Sequence, residues 1–174
     1  MKNYPKSKIC IAHSAPVYLD VNKTVDKIIS IIDEASKNGA ELVVFAEVFL
    51  PAFPIWCAIR PPTENHDFFK LLAQNSIYID GPEISKISEF AKKRKIIVSL
   101  GFNELSKNSV GCIWNSNIII GKDGQINSHH RKITPTFYEK LVWSHGDGSG
   151  LKVNETDIGK IGMLICGENT NPLA

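Results

Sequence analysis

The stretch Glu41-Leu42-Val43-Val44-Phe45-Ala46-Glu47 decides the fold class of this chain. It is a short, continuous apolar run bounded by Gly39 and Pro51. That is the pattern of a strand buried on both faces, as in a sheet covered by helices. Toward the N-terminus, Val21, Val25, Ile28, Ile29, Ile32 and Ala35 recur at three- and four-residue steps, so residues 21–37 predict a helix with one apolar face. Asp20 or Asn22 is placed to cap its start, and Gly39 stands where a left-handed C-terminal residue belongs. Residues 8–12 read as a first strand. Toward the C-terminus, residues 48–64 carry Pro51, Pro54, Pro61 and Pro62 among aromatics and predict a structured loop. Helices follow over 66–74 and 84–93, then a buried strand over 96–102. Lys122-Asp123-Gly124 joins strands 112–120 and 125–131 in a hairpin, and Asp157-Ile158-Gly159 joins 151–155 to 160–166 in a second. The order β-α-β-α-α-β-β-β-β-β predicts an α/β layered sandwich with helices on one face of a mixed sheet.

Composition narrows the class further. At about 150 residues per domain, 174 residues make one domain, and a chain of that size hides roughly 70% of its unfolded surface. A hydrophobic share of 43% with 22% charged residues excludes a disordered chain. Lys plus Arg is 20 against 18 for Asp plus Glu, a net +2, which gives no electrostatic basis for a nucleic-acid or membrane partner. Cysteines 10, 57, 112 and 166 are widely spaced with no CxxC pair, so neither a disulfide framework nor a paired zinc site is expected. The N-terminus has no signal-peptide core, and no run approaches the ~18 apolar residues of a membrane span. A cytoplasmic, reducing setting is the expectation. The chain stops at Asn171-Pro172-Leu173-Ala174, directly after an apolar run that reads as a buried strand. Residues 1–174 are therefore expected to be an incomplete domain.

Three polar residues sit where apolar strands end. Glu47 closes the opening stretch, Lys132 ends the strand carrying Ile126, and Cys166 follows Ile161-Gly162-Met163-Leu164-Ile165. Ends of strands in α/β folds are rigidly held yet open to a crevice, which suits ligand binding. A carboxylate could deprotonate a thiol there, and an ammonium would stabilise developing negative charge. Spacing alone leaves a second reading open: a buried core cysteine, a surface lysine and a capping glutamate.

The wording around these residues carries more. Phe45-Ala46-Glu47-Val48-Phe49-Leu50-Pro51 resembles the glutamate motif of the nitrilase superfamily of carbon–nitrogen hydrolases. His130-Arg131-Lys132-Ile133-Thr134-Pro135-Thr136-Phe137-Tyr138-Glu139 resembles its lysine motif, and Trp143-Ser144-His145-Gly146-Asp147-Gly148-Ser149-Gly150-Leu151 the glycine-rich stretch that follows. Leu164-Ile165-Cys166-Gly167-Glu168-Asn169-Thr170-Asn171-Pro172-Leu173 is similar to the nucleophile motif of the true-nitrilase branch. The motifs stand in the family's order across nearly the whole chain. Gly-Glu-Asn after the cysteine departs from the aromatic-then-aspartate of amidase and carbamoylase branches. Gly167 also departs from the tryptophan that many nitrilases carry there, which leaves substrate size open.

The resemblance implies a four-layer α-β-β-α sandwich, here truncated at its C-terminus. It implies a Glu47, Lys132, Cys166 triad with Glu139 as a supporting second glutamate. The reaction implied is hydrolysis of a nitrile to a carboxylic acid and ammonia through thioimidate and thioester intermediates. No metal or organic cofactor enters it, and a homo-oligomer is the family's habit. Phe49, Phe53, Trp56 and Asn169 are candidate pocket residues. Two alternatives stand beside this: an amidase using the same triad, and a catalytically silent fragment or interaction module.

Other features read plainly. Lys92-Lys93-Arg94-Lys95 is expected to be a solvated helix C-terminus. His129 and His130, as strand neighbours, point to opposite faces and cannot share an ion. Gly146 to Gly150 is a tight turn that lacks the context of a phosphate loop. Cys10, Cys57 and Cys112 are read as structural.

Overall fold

The computed structural model of the protein describes residues 6–173. Residues 1–5, on which part of the no-leader reading falls, and residue 174 lie outside the described residues. In chain order the elements are β1 (Ile9–Ile11), α1 (Val21–Lys37), β2 (Leu42–Val44), α2 (Trp56–Ile59), α3 (His66–Asn75), α4 (Pro82–Arg94), β3 (Ile97–Leu105), β4 (Ile113–Ile120), β5 (Ile126–Arg131), β6 (Asn154–Thr156) and β7 (Gly159–Ile161). Strands β1 to β5 form one mixed sheet in sequence order. The β1–β2 and β2–β3 pairs are parallel, while β3–β4–β5 is an antiparallel meander.

Two long helices cover one face of this sheet. Asp20 caps α1 by accepting the backbone N–H of Lys23 at 3.0 Å, and Gly39 takes φ +76 just past its end. Helix α4 opens on Pro82 behind Gly81 and closes on Lys95 at φ +53, with its basic run in the last turn as expected. Val25, Ile28 and Ile32 of α1 and Ile84, Ile87 and Ala91 of α4 bury against Val43, Val98, Leu100 and Phe102. Each such Val, Leu, Ile or Phe side chain contributes roughly 1.5–3 kcal/mol on burial. On the opposite face, Leu42, Ile97 and Ile119 meet Met163 with Ile158 and Ile161, so the β6–β7 region lies over the sheet there. The helices and sheet are thus two of the four layers that the resemblance implies.

The structure departs from the sequence reading at the ends of its apolar runs. Strand β2 stops at Val44 rather than Glu47. Phe45 still donates to Ser99 O at 2.9 Å, then the chain turns through Ala46–Phe49 and rejoins β3 where Leu50 donates to Gly101 O at 3.1 Å. A buried turn is as apolar as a buried strand, so hydropathy does not separate them. The run 160–166 keeps strand form only to Ile161. Met163 and Ile165 are buried as predicted, yet among the described residues no neighbouring strand pairs with 162–165. Helix α2 and a 3-10 turn at Pro62–Glu64 punctuate the loop 48–64. Strand β3 runs on to Leu105 because the meander continues through Glu104 opposite Trp114 and Leu105 opposite Ile113.

Candidate active site

Glu47 reaches the site on the turn that follows β2, and Gly101 of β3 is the floor beneath it. A Cβ at Gly101 would stand 2.5 Å from Val48 N and 2.7 Å from Ala46 O, so only glycine lets the turn rest on the strand. Val48 sits at φ +41, an uncommon conformation for a β-branched residue, and is fully buried. Asn115 of β4, itself buried, donates Nδ2 to Glu47 Oε1 at 2.7 Å.

Lys132 continues β5 by one residue, its backbone N–H donating to Asn115 O at 2.8 Å. Its side chain is 1% exposed. The ammonium donates to Glu47 Oε1 at 3.0 Å and to Glu139 Oε2 at 2.6 Å. Burial opposes the charged ammonium, but the hydrogen bonds and charges of Glu139 and Glu47 outweigh it. Lys132 is therefore held above the usual lysine range and stays protonated at neutral pH. Glu139 lies on the 3-10 turn Phe137–Leu141, and its Oε2 also accepts the backbone N–H of Thr136 at 2.7 Å. The glycine-rich stretch wraps the end of β5: Gly146 donates to Lys132 O at 2.9 Å. A Cβ at Gly150 would lie 2.3 Å from His129 O.

Cys166 begins the 3-10 turn Cys166–Thr170 at φ +51, exposed to solvent. Its Sγ and carboxylate oxygens of Glu47 and Glu139 all lie within 4.8 Å of one another. A cavity of about 180 Å³ is lined by Glu47, Asn115 and Cys166 among others. A thiol and two carboxylates are therefore close together, with the buried Lys132 cation bridging the carboxylates. Holding a non-glycine residue at positive φ costs on the order of 1–3 kcal/mol, a strain typical of functional turns. The Glu47, Glu139 and Cys166 atoms could together ligate a metal. Lys132 already supplies the positive charge between the two carboxylates, so an ion would have to displace it.

The candidate pocket aromatics lie elsewhere. Phe49 is buried in the helix-side core 5.1 Å from Phe45, and Phe53 packs edge-on to Trp143. Trp56 stacks on Phe68 in a second cluster. None of the three lines the cavity at Cys166, because the chain turns back onto β3 right after Glu47. Asn169 is exposed, and its Nδ2 donates to Cys166 O at 2.9 Å, bracing the turn. His129 and His130 do point apart, to Glu104 and Glu168 respectively. Cys10, Cys57 and Cys112 are free thiols, and burial pushes the Cys57 thiol up to about 11. Asn115 and Glu168 are polar partners that the sequence reading did not single out. The available signals were a buried-strand asparagine among isoleucines and an acid two residues past the candidate nucleophile.

The model of the carbon-nitrogen hydrolase family matches residues 8–174. This chain belongs to the carbon-nitrogen hydrolase family. The carbon-nitrogen hydrolase chain is 37% identical to a nitrilase of Paraburkholderia phymatum over 160 residues, 92% of this chain and 46% of that protein. It is 38% identical to a cyanide hydratase of Gibberella baccata over 170 residues, 96% of this chain and 46% of the relative. It spans about half the length of the curated relatives it matches. The crystal structure of Saccharomyces cerevisiae Nit3, a member of branch 10 of the nitrilase superfamily, aligns with TM-score 0.77 at 23% identity. That alignment covers 98% of this chain and 61% of the other and shows a shared fold. Among the described residues, no helix is long and apolar enough to cross a membrane.

Proposed function

We propose that this protein hydrolyses nitriles to carboxylic acids and ammonia, with Cys166 as nucleophile, Glu47 as general base and Lys132 as the electrostatic stabiliser. The observation that carries the reading is the buried Lys132 ammonium clamped by Glu47 and Glu139 beside the Cys166 thiol. The likeness to proteins named nitrilase and cyanide hydratase supports the nitrile as substrate class.

Glu47 takes the thiol proton as sulfur adds to the nitrile carbon, giving a thioimidate with the proton delivered to nitrogen. Water, deprotonated by Glu47, adds to that carbon, and ammonia leaves to give a thioester. A second water releases the carboxylic acid and restores the thiol. Two waters are consumed in all, one for each step after attack. Lys132 stabilises charge first on substrate nitrogen and then on oxygen. Glu139 holds the ammonium beside Glu47. The part that falls to Asn115 is orientation of Glu47. The same proposal includes a homo-oligomer, read by light scattering.

The test is ammonia release from a panel of aliphatic, aromatic and arylacetonitriles and cyanide, run beside the matching amides. Nitrile-dependent ammonia that Cys166→Ala abolishes supports the reading. Release from amides alone makes the protein an amidase. No release from a folded protein favours the reading as a catalytically silent fragment or interaction module.

A further inference from the structure

We infer that Glu168 is a positioning residue whose carboxylate ties the Cys166 turn to the Lys132 segment. The inference rests on the proposed nucleophilic reading, but a separate set of contacts carries it. The Glu168 side chain is 9% exposed and belongs to the same 3-10 turn as Cys166. Its Oε1 accepts the backbone N–H of Ile133, the residue after Lys132, at 2.8 Å. Oε2 accepts the backbone N–H of Ile165, the residue before Cys166, at 2.7 Å. His130 Nε2, fully buried on β5, lies 2.8 Å from the same oxygen. One carboxylate therefore grips the neighbours of both the candidate nucleophile and the candidate stabilising cation.

Little else does this. Among the described residues, no other hydrogen bond joins 162–171 to β5 or to the segment after it. Residues 162–165 lie in no strand, and their one backbone–backbone bond is Glu168 N–H to Ile165 O at 3.1 Å. Without a ladder, the position of Cys166 over the sheet depends on Met163 and Ile165 packing, which is non-directional, and on Glu168, which is directional. Charge suits the task, because bonds to an ionised acceptor are roughly twice as strong as neutral ones. An amide of the same size fails. Glutamine replaces one acceptor oxygen by a donor NH₂, which must face the N–H of Ile133 or that of Ile165, so one backbone tether is cut whichever way it turns.

The experiment compares the purified protein with Glu168→Gln. A displacement of an ångström costs about a hundredfold in rate, so kcat on a nitrile substrate falls at least about tenfold, while KM changes less than about threefold. Iodoacetamide alkylation of Cys166, followed by peptide mass mapping, slows in the variant at fixed pH, while Cys10 reacts as in the parent. A purely structural role would lower the melting temperature and leave both readouts unmoved in the folded protein. In the unmodified protein, the amides of Ile133 and Ile165 exchange with deuterium at least about tenfold more slowly than that of Gly162. Glu168→Gln with parental kcat and parental alkylation overturns the inference, as does fast exchange at both amides. A parent that turns over no nitrile sinks the functional reading alone, because alkylation and exchange still judge the tether.

Discussion

Replacing Lys132 by Met removes the cation between Glu47 and Glu139 and leaves nearly the same volume filled. The two carboxylates, 23% and 5% exposed, are then left against each other with no counter-charge. Breaking a buried ion pair by removing one partner costs about 3–5 kcal/mol. At ~2–4 °C per kcal/mol for a chain of this length, the melting temperature falls by roughly 6–20 °C at pH 7. The pH dependence has a definite sign. In the parent, the raised Lys132 pKa contributes stability that is fully present below the unfolded lysine value and lost only in strong alkali. That group adds no slope between pH 5 and 8. In the variant, one of the paired carboxylates is pushed up by its neighbour. Its contribution is full below an unfolded value of about 4.3 and fades as pH rises through its folded value. Lys132→Met therefore recovers stability on acidification from pH 8 to pH 5, relative to the parent. Urea unfolding followed by circular dichroism at both pH values is the assay. A loss below about 1 kcal/mol, or a pH slope identical to the parent's, would refute the buried-cation argument.

Two further predictions probe the framework. Buried Glu104 accepts from Ser116, His129 and Arg131; burial would raise its pKa, but these partners outweigh that and hold the carboxyl down from 4.5 to about 2. The shift corresponds to about 3 kcal/mol, present above about pH 4.5 and lost as pH falls toward 2, so Glu104→Gln should flatten the acid limb of the stability curve; an unchanged limb would contradict it. Gly150→Ala forces a Cβ to 2.3 Å from His129 O and should cost about 1–3 kcal/mol by thermal melting. Gly111→Ala, where a Cβ meets nothing within 4 Å, is the neutral control.

How much of this was legible from residues depends on what each signal measures. Helix α1 was readable to its last residue, because periodicity, cap and terminal glycine all agree there. The mixed sheet followed from continuous apolar runs, but the ends of β2 and β7 did not. Apolar content reports burial, and Phe45, Val48 and Ile165 are buried without being in strands. Glu47, Lys132, Glu139 and Cys166 could be named because they sit within recognisable motifs, although only Lys132 directly follows a strand. Proximity in sequence does not decide proximity to the cavity for the aromatics after Glu47, because the turn resting on Gly101 directs Phe49, Phe53 and Trp56 toward the cores. Asn115 and Glu168 act through partners 68 and 35 residues away, and no local pattern encodes such pairings.

The most direct test of the central proposal is a covalent one. The protein is mixed with an aromatic nitrile, quenched in acid within a turnover, and digested for mass spectrometry of the Cys166 peptide. The account predicts an adduct with the mass of the thioimidate or the acyl thioester on Cys166, absent from Cys166→Ala and formed far more slowly in Glu47→Gln, which lacks the base that takes the thiol proton. A hydrolysing protein whose Cys166 carries no adduct, or a Cys166→Ala variant that still releases ammonia, would contradict it.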